Sequence, residues 1–146
     1  MKLVPTIFIS VILLLPAAGA SAQSLHQHLR MDIQMRPTNV DSVVMYTLEL
    51  TESKAPHFTG VLYTNDRLIK ARGMWLHDGK QFREDGQFVF FYENGTVESS
   101  GQYDRGYKVG EWKRFADSGV EKPVRYYNPE TAERIRQIQA TAQAKE

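Results

Sequence analysis

Histidine residues are the side chains of this chain most capable of chemistry, and their spacing supports none. His26 and His28 form a His-x-His pair that would supply two metal ligands. A zinc site needs three or four, and no third follows at a suitable spacing. His57 and His77 each lack a serine or cysteine partner at a recognisable spacing, so a catalytic triad is unsupported. We therefore predict no metal site, no cofactor and no enzymatic activity.

The acidic pair Glu84-Asp85 is the remaining catalytic candidate. Adjacent side chains on a strand point to opposite faces, so the two carboxylates would not act together, and we predict a solvated turn there. No glycine-rich loop joins a strand to a helix, so the sequence does not indicate nucleotide binding.

Aromatic side chains are dense for a chain of this length, and most are expected in a core. We expect the surplus, Tyr92, Tyr107 and Tyr126, on an exposed face flanked by basic residues. Such a face suits a protein partner, and amphipathic rings also stack on sugars. The candidate binding residues are Tyr92, Tyr107, Lys108, Trp112, Lys113, Arg114, Arg125 and Tyr126.

The elements that would position these residues are short strands. Alternation over 43–51 puts Val44, Tyr46, Leu48 and Leu50 on one face, which is typical of a half-buried strand. Asparagine, aspartate and glycine then punctuate the chain at close intervals, as in tight hairpins. Further strands are predicted near 60–64, 67–76, 87–92, 96–103, 111–116 and 122–127, with turns at 65–66, 77–79, 93–95 and 104–106. Asn128-Pro129-Glu130 predicts a helix start, and a thin apolar stripe follows it.

An internal repeat is the most informative pattern in the sequence. The series Gly86, Phe88, Phe91, Gly95 and Tyr103 reappears 24 residues later as Gly110, Trp112, Phe115, Gly119 and Tyr127. Stacked hairpins would build one continuous core from these rings. Phe88 and Phe91 are three residues apart, so a flat strand would put them on opposite faces. A bulge, a strong twist or burial on both faces would explain the spacing.

The segment Gly101–Gly119 resembles the bacterial variant of the MORN repeat, which runs as Gly-x-Tyr-x-x-Gly, a short spacer and Gly-x-Trp-x-x-Tyr-x-x-x-Gly. The resemblance covers about residues 60–127. Two departures, Phe115 for tyrosine and Arg125 for glycine, are typical of a terminal cap. The resemblance implies a meandering antiparallel sheet and a binding or scaffolding role. Some bacterial relatives are described as antitoxin-like.

The N-terminus has the three parts of a secretory signal peptide. Lys2 is the only charged residue before Arg30, an apolar run spans 3–15, and Ala20-Ser21-Ala22 forms the cleavage site. Cleavage after Ala22 leaves 17 basic and 17 acidic residues, so the formal net charge is zero. A neutral chain argues against nucleic acid as a partner. The chain has no cysteine, which excludes disulfides and a lipid-modified N-terminal cysteine. We predict a periplasmic or secreted protein with no transmembrane segment after cleavage.

Together these patterns predict a mainly β protein, a meandering antiparallel sheet of MORN-like hairpin repeats with a C-terminal α-helix. The expected divisions are a signal peptide (1–22), a flexible lead-in (23–42), the repeat domain (43–127) and the helix (128–146). The expected function is non-enzymatic protein–protein interaction in the cell envelope. The alternatives are an envelope glycan- or peptidoglycan-binding module, or an immunity- or antitoxin-like protein acting outside the cytoplasm.

Overall fold

The computed structural model describes residues 24–144. The expected signal peptide over 1–22 and the side chain of His26 lie outside the described residues.

The fold is mainly β, as predicted: one antiparallel sheet in which each strand pairs with the next along the chain. It is an open meander, since its first and last strands are not paired with each other. A 3-10 helix, Asp41–Val43, precedes the second strand. The strands are β1 (Ser24–Met31), β2 (Tyr46–Lys54), β3 (His57–Thr64), β4 (Ile69–His77), β5 (Phe82–Phe91), β6 (Val97–Asp104), β7 (Tyr107–Phe115) and β8 (Glu121–Tyr127), followed by the helix α1 (Pro129–Gln143).

The predicted turns at 65–66, 77–79, 93–95 and 104–106 all fall at the strand connections. Gly95 and Gly106 have φ of 82° and 88°, a region that glycine enters without steric cost. The pairing of β5 with β6 shifts between Phe90 and Phe91, but the extra residue is Glu98 in β6, so β5 itself has no inserted residue between Phe88 and Phe91.

Several strands extend further than predicted. Glu84 and Asp85, expected in a turn, lie within β5, where Glu84 pairs with Trp75 of β4. Lys54, which lies beyond the strand predicted over 43–51, is the last residue of β2. Pairing with the neighbouring strand recruits these polar residues, although their own sequence carries no strand period.

The predicted flexible lead-in over 23–42 is wrong in its first half, which forms β1. Leu29 pairs with Leu48 of β2, and Met31 is fully buried in the core. These apolar residues alternate with His28 and Arg30, so a polar composition conceals a strand with one buried face.

One face of the sheet, which we call the core face, carries the buried rings. Trp75, Phe88 and Trp112 are each at most 1% exposed. Gly73 and Gly101 provide room for two of these rings, since a Cβ at Gly73 would lie 2.6 Å from the Phe88 ring and one at Gly101 would lie 2.4 Å from the Trp112 ring. Glycine in the middle of these strands therefore leaves space for an aromatic ring of the neighbouring strand.

α1 begins as the sequence predicts, with the Asn128 side chain accepting a hydrogen bond from the Glu130 N–H. Only a small part of the helix packs against the sheet. Ala132 is its one buried residue, whereas Ile138 is 65% exposed. The Tyr107 hydroxyl donates to Gln139 Oε1 at 2.6 Å and so ties the helix to β7.

Candidate functional site

The core face changes character at its last strands. The register aligns Leu62, Ala71, Phe90, Ser99, Arg114 and Lys122 in one row across β3 to β8. Directly paired residues share a face of the sheet, so a row that begins with aliphatic side chains ends with two cations on the same face.

These cations line a cavity of about 200 Å³ that spans β6, β7 and β8. We call this cavity the basic pocket and define it by six side chains: Lys108, Trp112, Arg114, Lys122, Arg125 and Tyr127.

The Trp112 indole forms one wall of the basic pocket and is held in place by its neighbours. Trp112 Nε1 donates to the carbonyl oxygen of Gln102 at 3.2 Å, and Lys108 Nζ lies 4.0 Å from the centre of the Trp112 ring. A cation at that distance is attracted by the ring quadrupole. Tyr103 and Tyr127 pack edge-on against Trp112 with ring centres 5.1 and 6.2 Å away. The indole therefore serves as a fixed wall.

Positive charge in the basic pocket is largely uncompensated. Among the described side chains, none of its four cations forms an ion pair with a carboxylate. Glu98, the one acidic residue lining the cavity, lies 3.4 Å from Lys70 Nζ, which comes from outside the pocket. By contrast, Arg36, Arg83 and Arg136 each have a carboxylate partner within 3 Å.

Two groups beside the basic pocket have raised pKa values. Burial raises the pKa of Glu84, and the positive charges of Lys108 and Arg83 offset only part of that effect. Burial also raises the pKa of Tyr103, with smaller contributions from the charges of Glu84, Tyr127 and Glu98. Glu84 thus lies on the core face in a poorly solvated position.

Five of the eight predicted binding residues line this cavity: Tyr92, Lys108, Trp112, Arg114 and Arg125. Three do not. Lys113 points to the opposite face, where it lines an open groove with Ser100 and Glu111. Tyr126 pairs with Glu111 on that opposite face, and Tyr107 contacts α1.

The predicted exposed aromatic face is wrong. Trp112 is 1% exposed, and the Tyr92 hydroxyl is engaged in a hydrogen bond to the carbonyl oxygen of Phe115 at 2.8 Å. Tyr126 is 68% exposed, but it lies on the other side of the sheet from the pocket. The Trp112 ring belongs to the core, whereas the neighbouring Arg125 side chain is exposed.

Five residues that line the cavity are not among the predicted binding residues: Glu98, Ser99, Phe115, Lys122 and Tyr127. The pairing of β7 with β8 shifts between Trp112 and Arg114, so Lys122 and Arg125, three residues apart, both reach the same cavity. The spacing of cations in the sequence gives no sign of this bulge.

A second polar cluster joins β3 to β5. His57 Nε2 lies 2.8 Å from Asp85 Oδ2, while Asp85 Oδ1 accepts a hydrogen bond from the Arg105 N–H at 2.9 Å. Glu84, the neighbour of Asp85, faces Trp75 on the other side of the sheet. Asp85 thus uses both its oxygens to connect β3 to the β6–β7 turn, which is a structural role.

Comparison of the chain with protein-family models, with curated proteins and with solved structures gives no match. Among the described residues, no group of three or more histidine, aspartate or glutamate side chains is arranged to hold a metal ion. No described helix is long and apolar enough to cross a membrane.

Proposed function

We propose that this chain is an exported, non-enzymatic MORN-like repeat module that binds another protein in the cell envelope through the basic pocket. The observation that carries the proposal is the change along one face of the sheet: apolar and closed over β2 to β5, basic and open over β6 to β8.

A protein partner accounts for this surface better than a sugar does. Sugar stacking needs an open ring face, and Trp112 has none because it is buried under Lys108 and packed by Tyr103 and Tyr127. Arginine, tyrosine and tryptophan are enriched in protein interfaces, where arginine supplies several donors in a fixed plane. Arg114 and Arg125 line the pocket and supply such donors.

Export and the MORN-like assignment are supported by the sequence. The apolar run over 3–15, with the Ala-x-Ala site at 20–22, supports secretion to the periplasm or beyond. The 24-residue repeat supports the MORN-like assignment. N-terminal sequencing of the protein purified after export tests the first point, and the expected first residue is Gln23.

The function is tested by affinity capture from envelope extract of the source organism, using the exported protein as bait. The wild type is expected to retain a protein partner, and the double variant Arg114→Glu/Arg125→Glu is expected to lose it. Lys113→Glu is the matched control, since it reverses a charge on the same strand but on the opposite face.

Retention of the partner by the pocket variant, or its loss from the Lys113 control, would place the interface elsewhere and overturn the proposal. Binding of the wild type to purified cell wall without any protein partner would instead support the glycan-binding alternative.

A further inference from the structure

We infer that the basic pocket recognises an acidic protein segment, extended in conformation and carrying carboxylates two residues apart. This inference rests on the proposed function and specifies the chemistry of the partner.

The charge of the basic pocket calls for more than one anionic group. Lys108, Arg114, Lys122 and Arg125 line a space that contains one carboxylate, Glu98, and Lys70 already lies beside that carboxylate. One carboxylate from a partner would leave most of this positive charge uncompensated. Two would compensate half of it, and arginine binds each in a bidentate, charge-assisted manner.

The pairing register places two of the cations directly opposite each other. Arg114 on β7 is the cross-strand partner of Lys122 on β8. Like charges directly opposite in a sheet are destabilising. No described carboxylate forms an ion pair with either side chain, so a carboxylate from a partner would relieve this repulsion.

The basic residues are specific to the last copy of the repeat. Moving back 24 residues from Lys108, Arg114, Lys122 and Arg125 reaches Glu84, Phe90, Glu98 and Gly101. The equivalent positions thus hold two acids, one ring and one glycine. The repeat core does not require cations at these places, because the preceding copy packs without them.

Spacing along the sheet sets the spacing of the carboxylates. The pairs Trp112–Arg125 and Arg114–Lys122 are two residues apart on β7, which corresponds to about 6–7 Å along a strand. Side chains two apart in an extended segment lie on one face at the same interval. A Glu-x-Glu segment would therefore present one carboxylate to each pair.

The size of the cavity fits side chains better than whole cofactors. Its volume of about 200 Å³ lies below the roughly 300–1,000 Å³ typical of small-molecule sites. Carboxylate groups at the ends of flexible side chains would enter it while the rest of the partner stays outside.

Calorimetric titration of the exported protein with synthetic peptides tests the inference. An extended peptide with one Glu-x-Glu motif is expected to bind at least tenfold more tightly than its Gln-x-Gln counterpart. It should also bind more tightly than a peptide with two adjacent glutamates, whose side chains diverge in an extended chain. Arg114→Gln and Arg125→Gln should each weaken binding by about tenfold, whereas Lys113→Gln should leave it unchanged.

Lys122→Gln separates binding from folding. It should weaken peptide binding, yet without peptide it should leave the melting temperature unchanged or raise it, since it removes a like-charge pair. A lower melting temperature would show that Lys122 serves the fold and would overturn the inference. So would equal binding of the Glu-x-Glu and Gln-x-Gln peptides, or tight binding of inorganic phosphate that the peptide does not displace.

The two proposals fail in different ways. A protein partner that is captured through the basic pocket but not displaced by the Glu-x-Glu peptide would overturn this inference and leave the proposed function standing. Capture of the partner by the Arg114→Glu/Arg125→Glu variant as well as by the wild type would overturn the proposed function.

Discussion

Two consecutive copies of the repeat form equivalent pairs of strands, β5–β6 and β7–β8, but carry different side chains on the core face. In the first copy, Phe88 is buried, with Phe90 packed beside it and the ring of Tyr103 5.3 Å away. In the second, Trp112 is equally buried, but Arg114 stands at the position equivalent to Phe90. The buried ring is thus required by the fold, while the residue two positions on is free to become a binding group.

Glycine shows the same contrast between the two copies. Gly101 in the first copy makes room for the Trp112 ring of the next strand. Its equivalent 24 residues later is Arg125, on the edge strand β8, where no following strand needs that space. The end of a repeat array can accept a large charged side chain at a place where an interior copy cannot.

Truncating one side chain to alanine should lower the free energy of unfolding by very different amounts in the two regions. Trp75→Ala, in the closed apolar region, should lower the free energy of unfolding by about 3–5 kcal/mol because it removes a fully buried indole. Arg125→Ala, in the open region, should change it by less than about 0.5 kcal/mol, since the residue is exposed.

Urea denaturation of both variants beside the wild type measures the difference. Trp75→Phe is the matched control, since it keeps one aromatic ring in place and removes only the rest of the indole, including an N–H that forms no hydrogen bond within the described chain. A cost for Arg125→Ala as large as that for Trp75→Ala would mean that β8 belongs to the core and that the comparison is wrong.

The topology, the turns and the start of the helix follow from local signals. Asn94-Gly95 and Asp104-Arg105-Gly106 specify hairpins within a few residues, and Asn128 with Pro129 specifies the helix start. Strand ends follow less well, since residues such as Glu84 enter β5 only by pairing with a neighbouring strand. The clustering of basic residues in the sequence indicates the part of the chain that lines the basic pocket.

The structure was needed to determine which face of the sheet each of those residues lies on. Simple alternation along β7 separates Lys113 from Trp112 and Arg114, and this could have been read from the sequence. The convergence of Lys122 and Arg125 could not, because it depends on a bulge opposite Lys113. Burial of Trp112 also differs from the predicted binding role, because its ring belongs to the core of this single-layer sheet.

A smaller loss is expected where the two copies meet. Gly101→Ala would place a Cβ 2.4 Å from the Trp112 ring, and both backbone and ring are fixed, so the free energy of unfolding should fall by about 1–3 kcal/mol. The ring would also move from the wall of the basic pocket, so peptide binding should weaken. Thermal denaturation and calorimetry measure the two effects.

Ser100→Ala, one residue away and directed to the opposite face, is the control for Gly101→Ala. If Gly101→Ala were as stable as that control, the close approach of the Trp112 ring to β6 would be refuted. If it were unstable yet bound peptide normally, the indole would not be a wall of the binding site.

The smallest effect is expected at Glu84, which lies beside Lys108 at the boundary between the two regions. Burial raises its pKa above the ordinary value of 4.5, so the folded chain holds this proton more tightly than the unfolded chain does. The contribution of Glu84 to stability is therefore most favourable below pH 4.5 and declines as the pH rises through the raised pKa. Glu84→Gln removes that decline, and its free energy of unfolding relative to wild type should increase between pH 4 and pH 7.

Urea denaturation at several pH values measures this trend, with Glu111→Gln on the opposite face as the control for loss of one negative charge. The same pH trend in both variants would mean that burial at Glu84 is not its cause. A reversed trend, with Glu84→Gln losing stability as the pH rises, would mean that attraction to Lys108 outweighs burial. Lys108 would then be compensated from within the chain, and the contrast between a closed apolar region and an open basic one would begin at Arg114.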